Sequence, residues 1–404
     1  MKVVVVGAGA AGLMAAAEAN KNGANVVVLE KNPRPARKVM ITGKGRCNLT
    51  NDCSFNDFLE NIPRNHKFLY SCLRSFGPRD IMSSVESAGV PVKVERGNRV
   101  FPVSDKAVDI VDVLYKMAHG CRFRFNCAVT GVAIEDAQVK GVYVDKEFIS
   151  ADCVIIATGG MSYSKTGSTG DGYRFAKLAG HCVTELVPSL IPLEIESKDC
   201  KDLMGLSLKN VTLSLIEDGK TVYSELGEMM FTHFGISGPL VLSASAHINK
   251  PQNCTVSIDL KPALTIEQLD LRLRRDFDKY INKELKNGLD ELLPKQLIPY
   301  IIKAAGLSPN TKINQITKQE RAQLIAALKG YSLKVSGFRP IEEAIITRGG
   351  VEVGEINPKT MESKLCKGLY FVGEILDVDG YTGGFNLQIA FSTGYAAGNN
   401  LRMN

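Results

Sequence analysis

Three glycines and an acidic residue near the start of the chain have the types and spacing of a nucleotide-binding site. Residues 7–12 read GAGAAG, so Gly7, Gly9 and Gly12 occupy the positions of a G-x-G-x-x-G motif. Gly7 allows a tight turn, Gly9 lets the backbone approach a pyrophosphate, and Gly12 lets a helix pack closely on a strand. Glu30 can accept hydrogen bonds from adenosine ribose hydroxyls, and an acid there disfavours a 2′-phosphate. The pattern predicts a dinucleotide site.

A second candidate is the segment ITGKGRCNLT at residues 41–50, which has three interpretations. A phosphate-binding P-loop requires G-x-x-x-x-G-K-[ST], but no glycine stands at the required place, and Gly45 follows Lys44. A redox disulfide would use Cys47 and Cys53, but five residues separate them where disulfide reductases have four. Because a disulfide needs Cβ atoms about 4 Å apart, the extra residue turns the second thiol away. The remaining interpretation is a glycine turn.

That turn is predicted to lie against a cofactor. Gly43 and Gly45 would let the backbone approach it, while Arg46 and Asn48 would supply hydrogen-bond donors. Cys47 is expected to pack or to touch the cofactor without redox work of its own.

The elements that must position these residues are short buried strands and Ala-rich helices. KVVVV at residues 2–6 is typical of a parallel strand buried on both faces, and residues 10–22 predict a helix closed by Gly23. NVVVLE at residues 25–30 predicts the next strand, with Glu30 at its end.

Further cofactor signals are dispersed along the chain. ADCVIIATGGMS at 151–162 predicts a buried strand that ends at Thr158, and the segment 367–398 predicts a strand, an acid at Glu374, a glycine-rich turn and a helix. A cofactor contacted by all of these segments must be long. FAD therefore fits better than NAD.

Composition and charge limit the class of protein. The 404 residues, 45% hydrophobic and 23% charged, indicate a soluble globular protein of two or three domains. A net charge of +6 is mild and spread out, so no nucleic-acid partner is expected. Residues 1–19 resemble a signal peptide loosely, but their glycines are spaced for a nucleotide turn, and no other apolar run approaches the ~20 residues that span a membrane. Ten cysteines without a CxxC pair indicate reduced thiols in the cytoplasm.

Motifs along nearly the whole chain are similar to those of one known family. They are GAGAAGLMAA, RKVMITGKGRCNLTN, NRVFPVSDKAVDIVDVL, MFTHFGISGPLVL and TRGGVEVGEINPKTMESKLCKGLYFVGEILDVDGYTGGFNLQIAFSTGYAAG. On these motifs the chain resembles the BaiN/YhiN-type bacterial FAD-dependent oxidoreductases. The resemblance implies an α/β fold: a Rossmann-like FAD-binding domain of glutathione-reductase type with an inserted small β-barrel and a helical cap domain.

The residues support that division independently. Short alternating segments at 187–260 predict a barrel or meander, and two capping boxes, beginning at Thr265 and Thr317, predict helices within 265–330. The predicted boundaries are 1–188 with 341–404 for the FAD-binding domain, 189–262 with 331–340 for the barrel, and 263–330 for the helices. A small-molecule site is expected where the domains meet.

The predicted cofactor-binding residues come from the glycine motif, the basic segment after Glu30, the glycine turn and the C-terminal motif. They are Gly7, Gly9, Ala11, Gly12, Glu30, Lys31, Arg37, Lys38, Gly43, Gly45, Arg46, Cys47, Asn48, Val129, Thr158, Gly159, Gly373, Glu374, Asp377, Gly384, Asn386 and Leu387. Two residues are candidates for catalysis: Tyr381 as a proton donor, and His233, which can equally be a hydrogen-bonded core residue. No metal site is predicted.

The resemblance implies two kinds of substrate. The first hypothesis is reduction of a conjugated C=C bond in a 3-oxo steroid or bile-acid-like enone, with hydride from flavin N5. The alternative is a flavin oxidase of a small amine or amino-ketone that produces hydrogen peroxide. A third hypothesis, a flavin protein acting on RNA, is disfavoured by the modest charge and the missing cysteine pair. The sequence has no second G-x-G-x-x-G motif, so NAD(P)H, if it is the reductant, would have to reach the flavin transiently. The sequence does not indicate an oligomeric state.

Overall fold

A computed structural model describes residues 1–401, which form two compact units. The first unit contains Met1–Ser189 and the described residues that follow Arg339, and the second is Leu190–Arg339. Each unit has a hydrophobic core of its own. No helix within residues 1–401 is both long enough and apolar enough to cross a membrane.

Strands and helices are numbered separately in chain order. The strands β1 to β19 are Lys2–Val6, Asn25–Leu29, Thr50–Asn51, Val92–Glu95, Arg99–Pro102, Arg122–Arg124, Val129–Glu135, Gln138–Val144, Glu147–Ser150, Cys153–Ile156, Val187–Ser189, Leu193–Ile195, Ser207–Glu217, Lys220–Thr232, Gly235–Ser237, Cys254–Asp259, Tyr331–Phe338, Ile346–Arg348 and Leu369–Phe371. The helices α1 to α14 are Ala10–Lys21, Arg37–Ile41, Phe55–Glu60, Tyr70–Ser75, Pro78–Ser87, Ala107–Met117, Asp171–Leu178, Asp199–Asp202, Pro239–Ser245, Ile266–Lys279, Leu285–Gly288, Ile298–Ala304, Lys318–Lys329 and Phe385–Asn400.

A parallel sheet forms the centre of the first unit. Its strand order is β19-β10-β1-β2-β6, and every neighbouring pair is parallel. The β-branched residues of β1 are buried, as the continuous apolar run predicts. Because the strands run in one direction, the segments that follow β1, β2, β10 and β19 emerge at the same edge of the sheet. The predicted strands at 2–6, 25–30 and within 151–162 are confirmed.

Helix α1 packs unusually close to its neighbours. A Cβ atom placed on Gly12 would lie 2.0 Å from the carbonyl oxygen of Gly7 and 3.2 Å from the Cβ of Ala157. On the other side, Cβ atoms at Gly394 and Gly398 of α14 would each lie 2.4 Å from a carbonyl oxygen of α1. Glycine at these positions therefore fixes how closely α1 approaches the first turn and α14.

The second unit contains a closed barrel and a group of helices. The barrel order is β12-β15-β14-β13-β16-β17, with antiparallel neighbours. The predicted capping boxes are confirmed: the side chains of Thr265 and Thr317 accept hydrogen bonds from the backbone N–H groups of Gln268 and Glu320. Barrel and helix residues share one core, so the structure places them in a single compact unit. The predicted fold class, a Rossmann-like domain with an inserted barrel and helices, is confirmed.

The chain leaves and rejoins the first unit through a pair of strands. β11, just before the insertion, pairs with β18, just after it, in antiparallel register from Val187 with Arg348 to Ser189 with Ile346. The first unit therefore keeps the two ends of the insertion side by side.

Replacing Gly12 by Ala should destabilise the first unit. The new methyl group would overlap the backbone of Gly7, which cannot move without breaking the turn, so we expect a loss of about 3 kcal/mol in the free energy of unfolding. Thermal melting of the FAD-free variant measures it. Gly9→Ala is the matched control, because Gly9 has an ordinary φ of −79° and a Cβ there meets no atom within 4 Å. Equal melting temperatures for the two variants would contradict the packing argument.

Candidate cofactor-binding site

A large cavity lies within the first unit, at the edge of the sheet where the parallel strands end. Its empty space, including the open mouth, is about 1380 Å³. Four groups of residues form most of the wall: the glycine turn after β1, the residues after β2, the residues around Thr158, and the C-terminal segment from Val372 to Ala390. One continuous cavity thus joins segments that are far apart in sequence.

Glu30 organises the first turn. Its Oε2 accepts a hydrogen bond from the backbone N–H of Ala8 at 2.8 Å, and its Oε1 accepts from the backbone and side-chain nitrogens of Asn32 at 2.8 and 2.7 Å. Glu30 is buried and lines the cavity. Oε2 keeps a second lone pair, so the same side chain can still accept a hydrogen bond from a ribose hydroxyl.

A half-buried ion pair crosses the cavity wall. Lys38 donates to Oε2 of Glu374 at 2.6 Å and to the hydroxyl of Ser162 at 2.7 Å. Oε1 of Glu374 accepts from Ser162 Oγ at 2.9 Å and from the backbone N–H of Thr347 at 3.0 Å. Because both charges are partnered by the protein, this group holds α2, β18 and the segment after β19 together around the cavity.

Two polar atoms in the wall are buried without a partner. Thr158 Oγ1 and Asp379 Oδ1 have no hydrogen-bond partner among residues 1–401, and both residues line the cavity. A buried polar atom left in this state costs about 1–3 kcal/mol. Burial raises the pKa of Asp379 to about 6, while Arg348 and Arg64 act in the opposite direction. Such atoms are expected where a bound molecule completes the hydrogen bonding.

The other features of the cavity also suit a dinucleotide. The space above Gly9 is open, so a pyrophosphate can approach the backbone there. Asn386 and Leu387, in the first turn of α14, also line the cavity. Free N–H groups in the first turn of a helix favour negative charge. The residues present therefore fit FAD.

Most of the predicted cofactor-binding residues line this cavity. They are Gly7, Gly9, Ala11, Glu30, Lys31, Arg37, Lys38, Val129, Thr158, Gly159, Gly373, Glu374, Asn386 and Leu387. Two of the predicted cations also have protein partners: Lys31 pairs with Asp171 at 2.6 Å, and Arg37 donates to Asn32 Oδ1 at 2.7 Å.

The remaining predicted residues lie outside the cavity wall in the described part of the chain. They are Gly12, Gly43, Gly45, Arg46, Cys47, Asn48, Asp377 and Gly384. Gly12 faces the first turn instead, and Gly384 approaches the backbone of Thr50, which a Cβ would meet at 2.3 Å. Only Thr42 of the segment 41–50 contributes to the wall.

The segment 48–51 supports α14 instead of facing the cavity. Thr50 Oγ1 donates to Gln388 Oε1 at 2.7 Å, and Asn51 Nδ2 donates to the carbonyl of Gly383 at 3.0 Å. The side-chain amide of Asn48 donates a hydrogen bond to the carbonyl of Thr50 at 3.2 Å and accepts one from the backbone N–H of Gly384 at 3.1 Å. These contacts hold the N-terminus of α14 in place.

Arg46 is held by a neighbouring loop. Its guanidinium pairs with Glu95 and with Asp105, and it stacks on the ring of Phe101 with 4.2 Å between guanidinium carbon and ring centroid. The two carboxylates occupy most of the donors of Arg46, and a contribution of Arg46 to cofactor binding stays a prediction.

The two catalytic candidates have different surroundings. Tyr381 is half-buried and outside the cavity wall as described; its backbone N–H donates to the carbonyl of Asn61 at 3.0 Å, and its carbonyl accepts from Asn386 at 3.2 Å. His233 belongs to the second unit, between β14 and β15, with its ring in edge contact with that of Phe234. A catalytic role for either residue stays a prediction.

Sequence reasoning missed several wall residues, of which Asp379 is the most informative. The motif DVD offers two acids two positions apart, and Asp377 was the predicted one. The structure pairs Asp377 with Arg64 at 3.5 Å and places Asp379 in the cavity wall. Two acids in an extended segment share one side, so the spacing alone carries no signal that separates them. Asn32 and Asp171 also line the cavity and were not predicted. Asn32 hydrogen-bonds Glu30, and Asp171 pairs with Lys31.

The chain was compared with known proteins. The model of the family described as HI0933-like protein Rossmann domain matches residues 1–400. The chain is 32% identical to a 3-dehydro-bile acid delta(4,6)-reductase of Clostridium scindens, over 98% of both chains. It is 33% identical to a ribosomal RNA dihydrouridine synthase of Haemophilus influenzae, over 97% of this chain and 96% of that one. A 3-ketosteroid-delta4-(5alpha)-dehydrogenase structure from Rhodococcus jostii aligns with a TM-score of 0.51 at 15% identity, covering 100% of this chain and 96% of that one, and shows the fold alone.

Thr158→Val should have opposite effects on the FAD-free protein and on FAD binding. Removal of an unpartnered buried hydroxyl should stabilise the FAD-free protein by about 1 kcal/mol, and loss of its hydrogen bond to the cofactor should weaken FAD binding about tenfold. Thermal melting and fluorescence titration with FAD measure the two effects. Ser162→Ala is the control: its hydroxyl is buried and fully partnered, so the variant should melt lower. A destabilised Thr158→Val protein would contradict the assignment.

Cys47 should be unreactive and dispensable for turnover. Burial raises the pKa of Cys47 to about 12, so at pH 8 the residue is a thiol, which iodoacetamide does not attack. Mass spectrometry of the native protein should find the exposed Cys182 alkylated and Cys47 intact. Cys47→Ser should keep turnover within about twofold. A variant that binds FAD but has lost turnover would return the thiol to the mechanism.

Proposed function

Since the chain belongs to the HI0933-like Rossmann family, we propose that it is an FAD-dependent oxidoreductase that reduces a carbon–carbon double bond conjugated to a carbonyl group. The observation that carries this proposal is the single continuous cavity wall from Gly7 to the first turn of α14. Such a wall can hold the adenosine, the pyrophosphate and the ring of one long cofactor. When bound, FAD supplies hydride transfer from N5.

The chain's own residues bind and orient the cofactor. Glu30 holds the ribose end through a carboxylate whose position is already fixed by Ala8 and Asn32. Glu374 and Lys38 hold the middle of the cavity as a neutral pair, so an uncharged part of the cofactor can lie beside them. The first-turn N–H groups of α14 favour negative charge at the ring end, which supports a reduced cofactor.

The substrate class follows from the names of two relatives. A 3-dehydro-bile acid delta(4,6)-reductase saturates a C=C bond conjugated to a 3-oxo group, and a dihydrouridine synthase saturates the C=C bond beside the C4 carbonyl of uracil. The two reactions share one chemistry: a hydride is added to the β-carbon and a proton to the α-carbon. We keep the 3-oxo steroid enone as the first candidate substrate.

A uridine in RNA is the second candidate. The H. influenzae relative is as similar to this chain as the bile-acid reductase is, at 33% against 32% identity. The name of this relative therefore favours an RNA substrate, whereas the modest charge of the chain led us to expect no nucleic-acid partner. The ten cysteines, free thiols throughout, suit a reducing compartment such as the cytoplasm.

Anaerobic flavin reoxidation tests the proposal. The holoenzyme is first titrated with NADH and with NADPH, to learn whether either reduces the flavin, and is otherwise reduced with dithionite. Mixing with a 3-oxo-Δ4 or 3-oxo-Δ4,6 steroid should then restore the absorption of oxidised flavin, because the conjugated C=C bond accepts the hydride. The matched control is the saturated 3-oxo steroid, which should leave the flavin reduced.

A parallel reaction with RNA separates the candidates. Uridine-containing RNA that reoxidises the flavin, with the steroid inert, would move the assignment to the second candidate. Steady peroxide formation with aminoacetone in air would favour the oxidase alternative. A reduced flavin that neither the steroid nor RNA reoxidises would contradict the proposed class of reaction.

A further inference from the structure

Asp379 is an ionisable group in the cavity wall that the proposed function leaves without a role. It is 2% exposed, and its Oδ1 has no hydrogen-bond partner within residues 1–401. Its Oδ2 has one contact, with Ser189 Oγ at 3.5 Å, a long distance for a hydrogen bond. The carboxyl group is therefore poorly solvated. Its Oδ1, the oxygen without a hydrogen-bond partner, belongs to a residue that lines the cofactor cavity.

The charges around Asp379 leave its protonation finely balanced. Arg348 of β18 and Arg64, whose backbone bridges that of Asp379, favour the carboxylate, whereas burial and Asp377 favour the acid. The other charged residues of the same cavity wall have protein partners: Lys38 pairs with Glu374 and Lys31 with Asp171, each at 2.6 Å. Glu30 and Arg37 both hydrogen-bond Asn32. The net result is a pKa of about 6 for Asp379, close enough to neutral pH for a nearby change of charge to reverse its state.

We propose that Asp379 is the redox-linked proton acceptor of the cofactor site: it binds a proton from solvent at its open oxygen when bound FAD is reduced. Reduction adds two electrons and one proton to FAD, leaving one negative charge. Asp379 takes up a second proton, its carboxylate becomes a carboxylic acid, and the net charge of the site is unchanged. The physical cause is that a new negative charge in a poorly solvated cavity disfavours a second one beside it.

The inference rests only on FAD binding, which is part of the proposed function, and it does not depend on the substrate. A protein purified without FAD that also fails to bind added FAD would refute the proposed function itself. A flavoprotein that reduces neither steroid nor RNA would refute the substrate assignment and leave the role of Asp379 open to the measurement below.

The midpoint potential of the bound flavin, measured from pH 5 to pH 9, tests the role. For a two-electron couple, each proton taken up changes the potential by about 30 mV per pH unit. Between the pKa that Asp379 has beside oxidised FAD and the higher pKa that it has beside reduced FAD, the wild-type holoenzyme should show about 60 mV per pH unit, because two protons accompany two electrons. Asp379→Asn should show about 30 mV per pH unit over the same range, because only the flavin proton remains.

Asp377→Asn is the matched control. Asp377 is also buried and only two residues away, but it lies outside the cavity wall as described and pairs with Arg64. This variant should keep the steep slope of about 60 mV per pH unit, with its onset at a lower pH, because the charge of Asp377 no longer raises the pKa of Asp379. Equal slopes for the wild type and Asp379→Asn, or loss of the steep slope in Asp377→Asn alone, would overturn the assignment.

A measurement on the wild-type protein covers the case in which the variants fold poorly. Photoreduction of the holoenzyme at pH 7.5 in weak buffer with an indicator dye counts the protons taken up per FAD. Two protons are expected with Asp379 as acceptor, and one proton would refute the proposal.

Discussion

Helix α1 approaches two other segments so closely that side chains are excluded at the points of contact. Gly12 lies against the carbonyl of Gly7, and Gly394 and Gly398 lie against the backbone of α1 from the opposite side. This contact couples the first turn to α14, which are separated by most of the chain. Residues of the first turn and of α14 both line the cavity, so a shift of α1 would move these two parts of the wall together.

Sequence reasoning succeeded where the physical cause is local. The strand-turn-helix unit at 2–21 depends on β-branched residues, glycine positions and an Ala-rich run, all readable within the segment. The capping boxes at Thr265 and Thr317 likewise depend on residues three positions apart. Closure of the barrel is a property of strand pairing between distant segments, and the alternation of residues predicts strands without showing that the sheet closes.

The predicted residues of the first turn, Gly7 and Gly9, line the cavity, whereas those predicted at 43–48 lie outside its wall as described. Arg46 satisfies the chemical requirement for a donor, but its partners, Glu95 and Asp105, come from a loop that only the tertiary structure brings near. The same limit applies to the choice between Asp377 and Asp379. Arg64 pairs with Asp377, and the sequence around Asp377 contains no signal that predicts this pairing. Residue type indicates what a side chain can do, whereas its partners decide whether the side chain is available.

The pairing of β11 with β18 has a consequence for how such proteins diversify. Because the two strands that flank Leu190–Arg339 hold each other within the first unit, the gene segment between them can be lengthened, shortened or exchanged by recombination while the sheet, α1 and the glycine turn keep their contacts. Residues 190–339 can therefore change in sequence and length while the first unit keeps its own core. Chimeras joined at these two strands are the natural starting point for transplanting one lineage's insertion into another.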